Sequence, residues 1–162
     1  MATWQFDCVL IPRADVPLSS KDARQLLRDN SQALWSGRSV EALAKDLEEV
    51  LGKPDPTWTV DVAKWGANDS TCLQLAAIDG AIDELRLRID MRFPEDDLLR
   101  NVLRFSRKVD LVVVTEVGDV VEPRLEWLMR SAGRSRAAAF VKDPERYLDG
   151  IASAPIEPDD EG

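Results

Sequence analysis

The sequence predicts an α+β protein, with a mixed, mainly antiparallel sheet of five to six strands and helices packed mainly on one of its faces. Three observations lead there. From Trp58 to Arg92 apolar and polar residues alternate in three consecutive runs, the period of strands with one buried face. Asp79-Gly80 lies between two of those runs and supplies the two positive-φ positions of a tight type I′ hairpin. Amphipathic runs with capping residues flank this block, giving the order β-α-α-β-β-β-α-β-β-α-α.

Trp4, Phe6, Cys8 and Leu10 alternate with Gln5 and Asp7 and predict a first strand with one buried face. After Pro12 and Pro17, Ser19 and Ser20 cap a helix that turns Ala23, Leu26, Leu27, Ala33 and Leu34 inward and stops near Gly37. Ser39 caps a second helix, which buries Val40, Leu43, Leu47, Val50 and Leu51 and ends at Gly52 and Pro54. In the next strand Trp58, Val60 and Val62 share the inward phase, and 65–70 carries turn chemistry before Cys72 to Ile78. Beyond the hairpin, Leu85, Leu87, Ile89 and Met91 point one way, while Arg86, Arg88, Asp90 and Arg92 form a solvated row.

Pro94 with Glu95, Asp96 and Asp97 opens a helix, since proline suits the first turn and carboxylates complement its exposed amides. Leu98, Leu99, Val102, Leu103 and Val109 form its buried stripe. The continuous apolar run Leu111 to Val114 reads as a strand covered on both sides, and Gly118-Asp119 turns the chain into the short strand Val120-Val121. The unit from Leu85 to Val114 would be a right-handed crossover within a mixed sheet. Glu122-Pro123 starts a further helix, followed by the apolar cluster 137–141 and a last helix after Asp143-Pro144 holding Tyr147, Leu148 and Ile151. Residues 1–152 are expected to form a single domain, and 153–162 a disordered acidic tail.

The chain has 162 residues, enough to bury roughly two-thirds of its unfolded surface without disulfides or metals. A formal charge of −9 opposes binding to nucleic acid or an anionic membrane, whose phosphates are held by Lys and Arg, and favours a basic protein partner. With no signal-like N-terminus and no long apolar run, a cytoplasmic location is expected. Cys8 and Cys72 lack metal-ligand or disulfide-framework spacing and read as small buried hydrophobes. There is no histidine, so the usual base for a serine or cysteine nucleophile is absent. Neither 68–70 nor 95–97 has calcium-loop spacing; a turn and a helix start explain them. No catalytic residue, metal site or cofactor is assigned.

The surface offers more. If the turn at 66–70, the helix start at Glu95 and the turn at Gly118-Asp119 share one end of the sheet, Asp69, Glu95, Asp96, Asp97, Glu116 and Asp119 form a negative rim. Arg86 and Arg88 lie in the row on the open face. Ordinary turn and strand chemistry accounts for both; the sharper reading is that one of them docks a protein. Trp65, out of phase with Trp58 and beside Gly66, is the candidate aromatic anchor.

Trp65-Gly66, Asp79-Gly80, Arg88-Ile89-Asp90, Glu122-Pro123, Ser135 to Ala138 and Phe140-Val141-x-Asp143-Pro144 together resemble small bacterial immunity-type proteins of polymorphic-toxin and type VI secretion systems, over residues 57–149. The resemblance implies a non-catalytic cytosolic inhibitor that occludes a basic toxin domain. The competing expectation is an adaptor that self-associates, for example as a homodimer.

Overall fold

The structure, a computed structural model, describes residues 2–13, 25, 32–56 and 61–152. Among these, six strands form one sheet: β1 (Gln5–Pro12), β2 (Val62–Trp65), β3 (Cys72–Ile78), β4 (Ala81–Asp90), β5 (Leu111–Thr115) and β6 (Val120–Val121). Five helices accompany it: α1 (Val40–Leu51), α2 (Asp97–Lys108), α3 (Leu125–Ala132), α4 (Arg136–Lys142) and α5 (Pro144–Ala152). The α+β class is as expected. Most of the first expected helix, Trp58 with Val60, and the acidic tail lie outside the described residues.

The strand order is β2-β3-β4-β1-β5-β6, and every pairing is antiparallel. This corrects the expectation of a mixed sheet. β4 and β5 do run parallel, joined through α2, but they are not neighbours. β1 lies between them and pairs with both, Leu10 opposite Leu85 on one side and Val113 on the other. A strand with paired neighbours on both sides has no free backbone edge, which suits the burial of Phe6, Cys8, Leu10, Ile11 and Pro12.

Registers place Trp65, Leu73, Leu87, Cys8 and Thr115 in one row across the sheet, with Ala63, Leu75, Leu85, Leu10 and Val113 in the next. This face carries the main core, against which α1 packs Leu43 and Leu47, α2 packs Leu99, Val102 and Leu103, and α3 packs Leu128. Leu73, Leu85, Leu87 and Ile89 are fully buried; each such side chain contributes about 1.5–3 kcal/mol of transfer free energy. The opposite face holds a smaller cluster of Ile11, Val112 and Val114, with Val9, Leu34 and Val120 against it. β5 is thus buried on both sides, as its unbroken apolar run predicts.

Asp79 and Gly80 have φ of 50° and 77°, the paired positive values of the expected hairpin. A bulge between Ala76 and Ala77 shifts the register before the turn. At the far end of β1, Arg13 closes the sheet by binding Glu122 with both terminal guanidinium nitrogens at 2.6 Å and Asp110 through Nε at 2.7 Å. The apolar cluster 137–141 is itself helical: Ser135 accepts the Ala138 N–H and starts α4. Tyr147 of α5 is half-buried, but Leu148 and Ile151 are 54% and 57% exposed rather than held inward.

Candidate functional site

The end of the sheet where β1 begins collects the turn after β2, the loop from β4 to α2, and the turn between β5 and β6, as the crossover predicts. It is braced by polar side chains, of which Gln5 and Asp90 are buried. Gln5, 1% exposed, donates from Nε2 to the carbonyls of Asn68 (2.9 Å) and Ser70 (2.8 Å), and its Oε1 accepts the Ala2 N–H. Trp4 Nε1 donates to the Asp69 carbonyl at 3.0 Å. Arg92 grips Asp90 through Nε (3.0 Å) and Nη2 (2.8 Å), reaches the Asp69 carbonyl, and stacks its guanidinium 4.1 Å from the centre of the Trp4 ring. The Arg92 backbone N–H also donates to Asp90, and the Phe93 N–H to the Asp90 carbonyl.

This bracing leaves Phe93 68% exposed, the most exposed large apolar side chain among the described residues. Sequence reasoning missed it. The signal was a bulky aromatic that fits neither the strand ending at Asp90 nor the stripe of α2, held extended by the proline that follows.

The anchor expected at Trp65 is corrected. Trp65 is 4% exposed, lies opposite Leu73 on the helix-covered face, and donates from Nε1 to the Gly52 carbonyl at 2.9 Å. The phase of β2 is the reverse of the expected one: Ala63 and Trp65 point inward, and Val62 lies on the other face. A large aromatic with a partner for its N–H stabilises the core more than it serves a surface.

The rim residues do share this end, with divided roles. Asp96 caps α2 by accepting the Leu99 N–H at 3.2 Å. Glu116 accepts the Asp7 backbone N–H at 3.1 Å; burial pushes its carboxyl up, countered by that hydrogen bond. Asp119 accepts from Ser131 Oγ at 2.7 Å and pairs with Arg134. Asp69 and Asp97 remain exposed, as does Glu95, whose nearest cation is Arg100 at 3.5 Å. The carboxylates open to a partner are therefore Asp69, Glu95 and Asp97, and they share the end of the sheet with Phe93.

The chain matches no family model, no curated protein and no solved structure. Among the described residues no helix is long and apolar enough to cross a membrane. Nor do three or more Asp, Glu or Cys side chains gather there in a group able to hold a metal ion.

The row on the other face is internally paired rather than openly solvated. Asp7 lies opposite Arg88 and takes Arg86 at 3.5 Å and Arg88 at 3.8 Å, while Arg86 also binds Glu84 at 2.8 Å. Burial pushes the Asp7 carboxyl up, and the two guanidiniums pull it partly back. Asp90 is 3% exposed and turned onto Arg92. Arg86 and Arg88 are thus half-buried members of a charge cluster; Asp7 Oδ1 and both Nε atoms lack a hydrogen-bond partner among the described residues.

Proposed function

We propose that the protein is an immunity-type inhibitor, a non-catalytic cytosolic binder that occludes a basic toxin domain through this end of the sheet. The observation that carries the reading is Phe93, an exposed aromatic on a braced loop with the open carboxylates Asp69, Glu95 and Asp97 at the same end. Aromatic anchors that need little ordering concentrate binding energy, and surrounding charges steer the encounter. Phe93 fills an apolar pocket on the partner, the carboxylates pair with its Lys or Arg, and the bulk of the domain blocks access to the toxin's site. The inhibitor itself makes and breaks no bond.

The test is capture of partners from the native lysate on tagged protein, read by mass spectrometry, against Phe93→Ala and an Asp69→Lys/Asp97→Lys variant. One stoichiometric partner lost in both variants is the expected outcome. A partner retained equally by both variants overturns this surface.

The exposed Leu148 and Ile151 on α5 favour a second reading, a self-associating adaptor. Sedimentation across a concentration series separates the two: a dimer that persists at high salt and is lost in Leu148→Asp supports the adaptor.

A further inference from the structure

A cleft of about 540 Å³ opens at the same end of the sheet, between the turn after β5, the junction of α3 and α4, and the start of α5. Its walls include Gln5, Glu116, Arg134, Arg136 and Tyr147. The volume lies in the range of about 300–1,000 Å³ common for small-molecule sites. Most polar groups at the cleft have partners. Gln5 is committed to the neighbouring turn, Arg134 to Asp119, and Ser135 to the cap of α4. Three are not: the Arg136 guanidinium and the hydroxyls of Tyr147 and Thr3 have no hydrogen bond or ion pair among the described residues. Glu116 uses only Oε1, on the Asp7 N–H.

Glu116 and Arg136 both line the cleft, and they do not meet in an ion pair. Two unlike charges lining one opening without contact match a ligand carrying the reverse pair. A simple anion gains Arg136 but meets the Glu116 carboxylate; a simple cation gains Glu116 but meets the Arg136 guanidinium, the charge of Arg134 being taken up by Asp119. We propose that this cleft binds a small zwitterion of the α-amino-acid type, its carboxylate held by Arg136 and the Tyr147 hydroxyl, its ammonium by Glu116. Arg136 is chosen because its planar fork can bind a carboxylate with two parallel hydrogen bonds. The cleft lining includes none of Phe93, Asp69, Glu95 and Asp97.

The test is an NMR titration of the isotopically labelled full chain with the common α-amino acids, taken to about 20 mM so that millimolar affinities register. Acetate and methylammonium serve as the separate halves of the ligand. Saturable shifts are expected at the amides of Glu116, Arg136 and Tyr147 with at least one amino acid, and weaker ones with either half. Glu116→Gln keeps the bond to the Asp7 N–H while removing the charge, and Arg136→Gln removes an unpaired group, so both keep the parent melting temperature. Each should weaken binding at least about tenfold. No shift at these amides with any amino acid, undiminished binding in both variants, or acetate binding as well as the best amino acid would each overturn the proposal.

Discussion

Gly66 has a φ of +89°, and a Cβ built there would run into the Thr71 carbonyl oxygen and lie 2.8 Å from Leu98 Cδ2. Backbone conformation and space both demand glycine, so Gly66→Ala should cost about 2–4 kcal/mol, read as a lower urea midpoint with an unchanged slope. In the sequence Gly66 was legible as turn chemistry, yet its close approach to α2 was not, because residues 71 and 98 are near only in the fold. The same holds for Trp65: its burial depends on a carbonyl at Gly52 and on the phase of a four-residue strand, too short for its alternation to fix a face. Asp7 supplies a pH signature. Burial lifts its folded value above the ordinary 3.8, so the folded state holds the proton more tightly than the unfolded chain. Its contribution to stability therefore falls as pH rises from 3.8 through the raised value, and returns on acidification. Denaturation at a series of pH values should show the parent gaining on Asp7→Asn as pH drops through that window; a constant difference would contradict burial as the dominant cause.

Elements whose cues are local were read well. Asp79-Gly80 predicted its hairpin because the turn's dihedrals are demanded by two adjacent residues. The start of α2 was legible to within three residues: its carboxylates marked it, but Pro94 and Glu95, expected in the first turn, precede the cap, which is Asp96. Asp96→Ala should destabilise by about 1 kcal/mol in thermal or urea unfolding, even though Asp96 belongs to the acidic rim. A loss of partner affinity in that variant without loss of stability would assign Asp96 to binding instead. α4 was read only as an apolar cluster because its seven residues are too few for a periodic stripe. The loop at Phe93 escaped because its order comes from Trp4, Asp69 and Asp90, contributed by three separate segments.

For the molecule as a whole, the α+β class, a sheet of five to six strands and a helix joining β4 to β5 were legible from periodicity, whereas the place of β1, and with it the wholly antiparallel pairing, was not. Nothing local to residues 5–12 says that they pair with 85–90 and 111–115 at once. The candidate surface was legible only as a region: topology predicted which turns share an end, but which carboxylates stay open depended on caps and ion pairs made across it. If the acidic end steers a basic partner, the association rate should fall steeply as salt shortens the screening length to about 8 Å at physiological ionic strength, with dissociation changing less. Phe93→Ala should act on dissociation instead, by tenfold or more for an anchor worth about 2 kcal/mol. The core offers an independent check. Cys72 and Cys8 are 0% and 1% exposed, and burial pushes both thiols up, Cys8 well above the ordinary thiol range. Neither should react with an aromatic disulfide reagent at neutral pH until the protein opens.

The central position of β1 has a further consequence, for synthesis. β1 is made before both of its partners and needs segments from much later in the chain, since β4 begins only at Ala81 and β5 at Leu111. On the ribosome Phe6, Cys8 and Leu10 emerge long before anything can cover them, and the sheet cannot close until most of the chain is out. A chain begun after Pro12 would do worse than lose an edge. It would leave β4 and β5 each with an open, apolar backbone edge facing an empty slot, a template for strands from other molecules, and the expected product is aggregate rather than a trimmed fold.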